Sequence, residues 1–183
     1  MVEVMAGNTL AFDVFLRNQI HSRAFDPLTS FMKFVTTFGA SDRIVPACAI
    51  ISVVLWRGGR RRYAWTLAIL VAVGYVLENV LKAAMGRHRP DAFFGLTSPT
   101  TYSFPSGHAL MSAVFYGTLA YIASRFATSP GQRVAIWTSA VITIVLICFS
   151  RVYLGVHYPT DIAGGVLIAC FWINAVLAYA KLP

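Results

Sequence analysis

The chain has 183 residues, 57% of them hydrophobic and only 12% charged, with 15 Lys and Arg against 7 Asp and Glu for a formal net charge of +8. Soluble domains carry about 25% charged residues, so this composition excludes an ordinary water-soluble domain and points to a polytopic membrane protein. The basic cluster Arg57, Arg60, Arg61 and Arg62 lies between two apolar runs, where a cytoplasmic loop carries it, and is no case for a nucleic-acid partner.

In chain order, residues 1–40 form an N-terminal amphipathic segment and residues 41–183 the membrane-embedded domain. Leu10 to Ile20 mixes Phe12, Val14, Phe15 and Leu16 with Asp13, Arg17 and Asn18. After Asp26-Pro27, the residues Leu28, Phe31, Phe34, Val35 and Phe38 recur at helical spacing. This predicts a helix lying in the membrane interface; Asp26 and Lys33 count against a full span. Five apolar runs follow, at about Arg43–Trp56, Tyr63–Ala84, Ser106–Ser124, Val134–Phe149 and Pro159–Ala180. Runs of this length without alternation are helices, because backbone groups in lipid must pair within their own segment. The expected fold is therefore all-α, a helix bundle with five transmembrane helices. The first run is short for a bilayer, which needs about 20 residues. Cys48, Cys148 and Cys170 fall inside apolar runs at no metal-binding spacing and read as packing residues.

If the spans alternate, the loop Arg57–Arg62, the loop Arg125–Arg133 and Lys181 share one side. Positive charge assigns that side to the cytoplasm. The opposite side then holds three polar islands: Lys82-x6-Arg89-Pro90, Pro105-Ser106-Gly107-His108, and Ser150-Arg151-x5-His157-x3-Asp161. Together they supply three fixed cations, two histidines, a carboxylate and a Ser-Gly turn. That inventory suits binding a phosphate and attacking its phosphorus with an imidazole.

Arginine offers paired planar donors for phosphate oxygens and lysine a compact charge; Lys82, Arg89 and Arg151 are the candidates. Arg87 reads instead as a snorkelling cation. Pro105 and Ser106 are helix-start signals, and Gly107 allows close backbone approach. Free N–H groups in the first helical turn favour anions, so Ser106 and the Gly107 amide are expected to hold phosphoryl oxygens beside His108. Asp161, four residues after His157, can reach its imidazole, fix the tautomer and leave the other nitrogen free to attack. Glu78, an acid within a span four residues before Lys82, is read as steadying that lysine. Asn79 reads as an interhelical hydrogen-bonding residue. Phe93, Phe94, Tyr102 and Phe104 line either an entrance for a lipid tail or an interfacial aromatic belt.

From Lys82 to Asp161 these motifs resemble the type 2 phosphatidic acid phosphatase superfamily, the lipid phosphate phosphatases. Similarity is closest to small bacterial membrane enzymes acting on phosphatidylglycerol phosphate and undecaprenyl pyrophosphate. The resemblance implies that His157 is the nucleophile, Asp161 its orienting partner and His108 the acid for the leaving oxygen. It implies phosphate binding by Lys82, Arg89, Ser106, Gly107 and Arg151, with Pro90, Pro105, Ser150 and Glu78 in support. It further implies a lipid phosphate substrate, an outward-facing site in a bacterial inner membrane, and no metal or other cofactor. Small bacterial members commonly have six spans, so the chain lacks the counterpart of the first, and residues 1–40 resemble the segment that follows it. Two alternatives stand beside hydrolysis: a lipid-linked phosphotransferase using the same phosphohistidine, and a non-enzymatic transporter or scaffold with a charged pocket. A vanadium haloperoxidase shares the pocket pattern but is soluble and larger.

Overall fold

A computed structural model describes residues 9–97 and 100–179, which form seven α-helices, a short 3-10 turn and no strand. Helix α1 spans Leu10–His21 and α2 Asp26–Thr36; the 3-10 turn Thr37–Gly39 leads to α3, Ser41–Arg57. Then come α4 (Arg61–Met85), α5 (Gly107–Ser124), α6 (Pro130–Tyr153) and α7 (Pro159–Tyr179). The expected last residue of the fifth run, Ala180, and the charge at Lys181 lie outside the described residues.

Local signals account for the boundaries. Ser129 caps α6 by accepting from the Gln132 amide at 3.2 Å, with Pro130 in the first turn. Helix α4 stops at Gly86, whose φ of +58° is the left-handed conformation that ends helices. That turn throws Arg87, His88 and Arg89 out of the helix direction.

Helix α5 is the centre of the bundle and packs against α3, α4, α6 and α7. Its Leu110, Met111, Val114, Phe115 and Ile122 are buried with Ile44 and Cys48 of α3, Leu67, Leu70 and Val71 of α4, and Ala169 of α7. The outer helices keep apolar side chains on the surface, among them Val73, Val76 and Val80 of α4, Val141 and Val145 of α6, and Leu167 and Phe171 of α7. Exposed apolar faces of that extent mark a lipid-facing surface.

The span count differs slightly from the expected five. Among the described residues, α4, α6 and α7 are each long and apolar enough to cross a membrane, and a fourth span results if Asp26–Gly39 and Ser41–Arg57, bent by 49°, cross together. Helix α5 has 18 residues but carries His108, Ser112, Tyr116, Thr118 and Tyr121. Its neighbours cover it, so it need not be apolar all round. Helix α3 is short by itself, with 17 residues.

The N-terminal helix is amphipathic as expected but turned with its charges inward. Asp13 and Arg17 are buried, while Leu10, Phe12, Val14 and Phe15 are exposed. Two basic loops meet at one end of the bundle: the Arg60 guanidinium lies 4.1 Å from the Phe126 ring centroid, and the Tyr63 and Phe126 rings are 5.6 Å apart. The three polar islands lie at the other ends of the same helices. Cys170 is exposed rather than packed, whereas Cys48 and Cys148 are buried. Asn79 is exposed and donates to Tyr75 O of its own helix at 2.8 Å, not across helices.

Candidate active site

Four helix ends supply the site: the C-termini of α4 and α6 and the N-termini of α5 and α7. Lys82 ends α4 in an ion pair with Glu78, as expected of that acid. Glu78 also packs on Gly107, where an added Cβ would fall 2.8 Å from Glu78 Oε2 and closer still to the rest of the carboxylate. The close approach that requires glycine is therefore made by Glu78. Ser106 caps α5, its Oγ accepting from the Ala109 amide at 3.4 Å, and its own amide donates to Asp161 O at 3.1 Å. Pro105, buried, precedes it through a cis bond from Phe104.

Arg89 leaves the Gly86 turn and is held at both faces of its fork. Its Nε donates to Thr101 O at 2.6 Å and Nη2 to Thr101 Oγ1 at 3.0 Å. Nη1 reaches Val156 O at 3.0 Å and His157 Nε2 at 2.9 Å. Pro90 next to it is buried. Arg151, buried near the end of α6, donates from Nη1 to Thr36 Oγ1 at 2.6 Å, and its Nε has no protein partner. Ser150 is buried and bonds back to Ile147 O at 2.6 Å. Neither Arg89 nor Arg151 has a carboxylate partner among the described residues. Lys82, Arg89, Arg151 and His157 all lie close enough to His108 to act on it electrostatically. No hydrogen bond among the described residues holds the half-buried His108 ring, which leaves it available to a ligand. A cavity of about 300 Å³ opens beside this cluster, between Lys33 and Thr36 of α2, Leu96, Thr97, Arg151, Leu154 and Val156. A larger, apolar cavity of about 820 Å³ lies elsewhere, between α5, α6 and α7 under Leu16 and Ile20, and holds none of the reactive residues.

His157 is fully enclosed in the turn before α7. Its Nδ1 is 3.4 Å from Asp161 Oδ2 and 3.4 Å from Ser103 Oγ, and Ser103 itself is 2.5 Å from that Oδ2. Asp161 Oδ2 also accepts from the Tyr158 amide at 2.9 Å. Burial pushes the imidazole down to about 3, against the raising effect of the Asp161 hydrogen bond and with Arg89 and Arg151 adding to the fall. His157 is therefore neutral in the resting site.

Sequence reasoning missed Ser103 and misread Arg87. Arg87 is no snorkelling cation: Nη1 donates to Asp161 Oδ1 at 2.6 Å and to Thr160 Oγ1 at 2.8 Å, and Nη2 to Asp13 Oδ2 at 2.7 Å. Burial lowers the Arg87 pKa, but Asp13 and Asp161 outweigh it and hold the guanidinium above its ordinary value. The one signal in the sequence was Asp13, an acid among the apolar residues of α1, which needs a partner when buried. The loop aromatics hold structure together. Phe93 stacks on His21 at 3.7 Å beneath the Arg17 guanidinium, Phe94 stacks on Tyr153 at 5.6 Å and Phe104 is buried, while Tyr102 is exposed.

Buried cations around two histidines at the end of a membrane helix bundle define a class of integral membrane enzymes that process phosphate esters. The PAP2 superfamily model matches residues 63–182, and the chain belongs to that superfamily of lipid phosphatases. It is 32% identical over 170 residues to an undecaprenyl-diphosphatase of Sulfolobus acidocaldarius, covering 90% of this chain and 76% of that one. It is also 32% identical over 139 residues to phosphatidylglycerophosphatase B of Bacillus subtilis, covering 75% and 68%. The crystal structure of a transmembrane PAP2 type phosphatidylglycerolphosphate phosphatase from Bacillus subtilis superposes with a TM-score of 0.87 at 26% identity, over 97% of this chain and 91% of that one.

Proposed function

We propose that this protein hydrolyses a lipid phosphomonoester or diphosphate without a metal, through a phosphohistidine on His157. Undecaprenyl diphosphate, phosphatidylglycerol phosphate and phosphatidic acid are the candidate substrates, the first two in keeping with the names of its relatives. The observation that carries this reading is a charge left unbalanced. Arg89, partly buried, and Arg151, buried, converge on two histidines with no carboxylate ion-paired to either among the described residues, and cations withdrawn from water need an anion.

A phosphate held by Lys82, Arg89, Arg151 and the first turn of α5 places its phosphorus before His157 Nε2. The Nε2 lone pair forms the P–N bond as the P–O bond to the lipid breaks, and His108, whose imidazolium the charge of the bound phosphate sustains against the surrounding cations, gives its proton to the departing oxygen. Asp161 stabilises the positive charge that develops on His157. Water then attacks phosphorus, His108 takes its proton, the P–N bond breaks and inorganic phosphate leaves. The cations bind the transition state's charge more tightly than the substrate's, which is the main catalytic effect in phosphoryl transfer. The basic loops at the opposite end favour a cytoplasmic position for that end, which supports an outward-facing site.

The test is phosphate release in detergent with EDTA, from each of the three lipids, by wild type and His157→Ala. Release that resists EDTA and is lost in the variant supports the reading, and the ranking of rates names the substrate. No release from any lipid by the folded wild type contradicts it.

A further inference from the structure

We propose that Asp13, on α1, is a positioning residue for the His157–Asp161 pair and acts through Arg87. Helix α1 lies outside the residues matched by the family model, yet Asp13 is 0% exposed. Among the described residues, every hydrogen bond of its carboxylate leads toward Asp161 or back along its own helix. Oδ1 accepts from the Thr160 amide at 2.9 Å, and Oδ2 accepts from Thr160 Oγ1 at 2.6 Å and Arg87 Nη2 at 2.7 Å. The remaining contact is Thr9 Oγ1 at 3.3 Å. Arg87 in turn donates from Nη1 to Asp161 Oδ1 at 2.6 Å. One guanidinium thus bridges two buried carboxylates.

The bridge divides the work of Asp161. Oδ1 is taken by Arg87, while Oδ2 faces Ser103, the Tyr158 amide and His157. The carboxylate plane is set from outside the reacting groups. The charges matter as much as the geometry. With Asp13 present, one positive charge is shared by two negative ones, and the Asp13–Arg87–Asp161 cluster keeps a net negative charge on the Nδ1 side of His157, opposite Arg89 on its Nε2 side. With Asp13 neutral, Arg87 cancels Asp161 alone, and the imidazolium formed during phosphoryl transfer loses its counter-charge. Neither Asp13 nor Arg87 lines the cavity beside Arg151, so the effect belongs to the chemical step and not to phosphate binding.

This rests on His157 being the nucleophile. The test is steady-state kinetics on a lipid phosphate, with inorganic phosphate as product inhibitor. Asp13→Asn should lower kcat by about 10- to 100-fold, the range for groups that orient a functional histidine from outside. KM and the phosphate inhibition constant should stay within about twofold, because substrate binding is untouched. Asp13→Glu should keep most of the activity. Arg87→Gln should lower kcat, and adding Asp13→Asn to it should cause little further loss, since both act on one link. If Asp13→Asn does not fold, Thr160→Val loosens the same link and should show a smaller kcat loss at constant KM. Wild-type kcat in a folded Asp13→Asn or Thr160→Val protein overturns the proposal, as does a loss fully additive with Arg87→Gln or one carried by KM. A fully active His157→Ala would instead overturn the phosphohistidine mechanism itself.

Discussion

Nη1 of Arg89 lies 2.9 Å from Nε2 of His157. Because a guanidinium only donates, Nε2 must be the unprotonated nitrogen, and the ring proton sits on Nδ1, toward Ser103 and Asp161. In the proposed mechanism the attacking lone pair is thus aimed at the cation expected to hold the phosphate, and phosphate binding would exchange this contact for an arginine–phosphate pair and free Nε2.

It follows that Arg89→Lys, although it keeps the charge, should be a poor enzyme. Lysine lacks the fork that Thr101 and Val156 fix from two sides. A fall of about 100-fold in kcat/KM is expected, the size of losing one oriented donor to a transition state. Wild-type kcat/KM in the lysine variant would show that the charge alone matters.

Gly107→Ala should damage the protein without touching any reacting group. The added methyl runs into the Glu78 carboxylate, whose position fixes Lys82. Overpacking of this kind costs about 1–3 kcal/mol, so the unfolding midpoint in detergent should drop together with activity. An unchanged midpoint would mean that α4 and α5 separate more freely than their packing indicates.

His157 also gives the protein a defined pH dependence. Its ordinary value of 6.5 falls to about 3 in the folded state, mainly through burial. Between those values the unfolded chain binds a proton that the folded chain does not, so stability rises with pH across that window and is lost as pH falls through it. Substituting His157→Gln should flatten the decline in unfolding midpoint between about pH 6.5 and pH 4. An equally steep decline in the variant would place the acid sensitivity in other groups.

His108→Ala should discriminate between leaving groups. Loss of the acid is expected to slow a lipid phosphate by about 100- to 10,000-fold, while an aryl phosphate, whose leaving oxygen needs little protonation, is largely spared. Equal losses on both would remove His108 from the role of acid.

Much of this was legible in local pattern. Apolar runs and the Ser106 cap placed the helices, and helix polarity alone brought the three islands to one end. What could not be read were relationships between distant positions. The Asp13–Arg87 pair joins residues separated by 74 positions, and no periodicity encodes it. The same two charges that look like the solvated stripe of an interfacial helix, Asp13 and Arg17, are the ones buried. Helix α5 reads as a span from its apolar run, and in the fold it runs through the centre of the bundle from the polar islands to the basic loops. Gly107 was legible as a site of close approach, and in the fold the Glu78 side chain approaches it.

The central claim is that His157 forms a covalent bond to phosphorus, and the most direct measurement is to trap it. The purified enzyme, turning over a 32P-labelled lipid phosphate, is quenched in alkali and the labelled peptide mapped. Acid-labile label is expected on His157, attached at Nε2, and none in His157→Ala. Turnover without any labelled protein, or label on His108 instead, would contradict it.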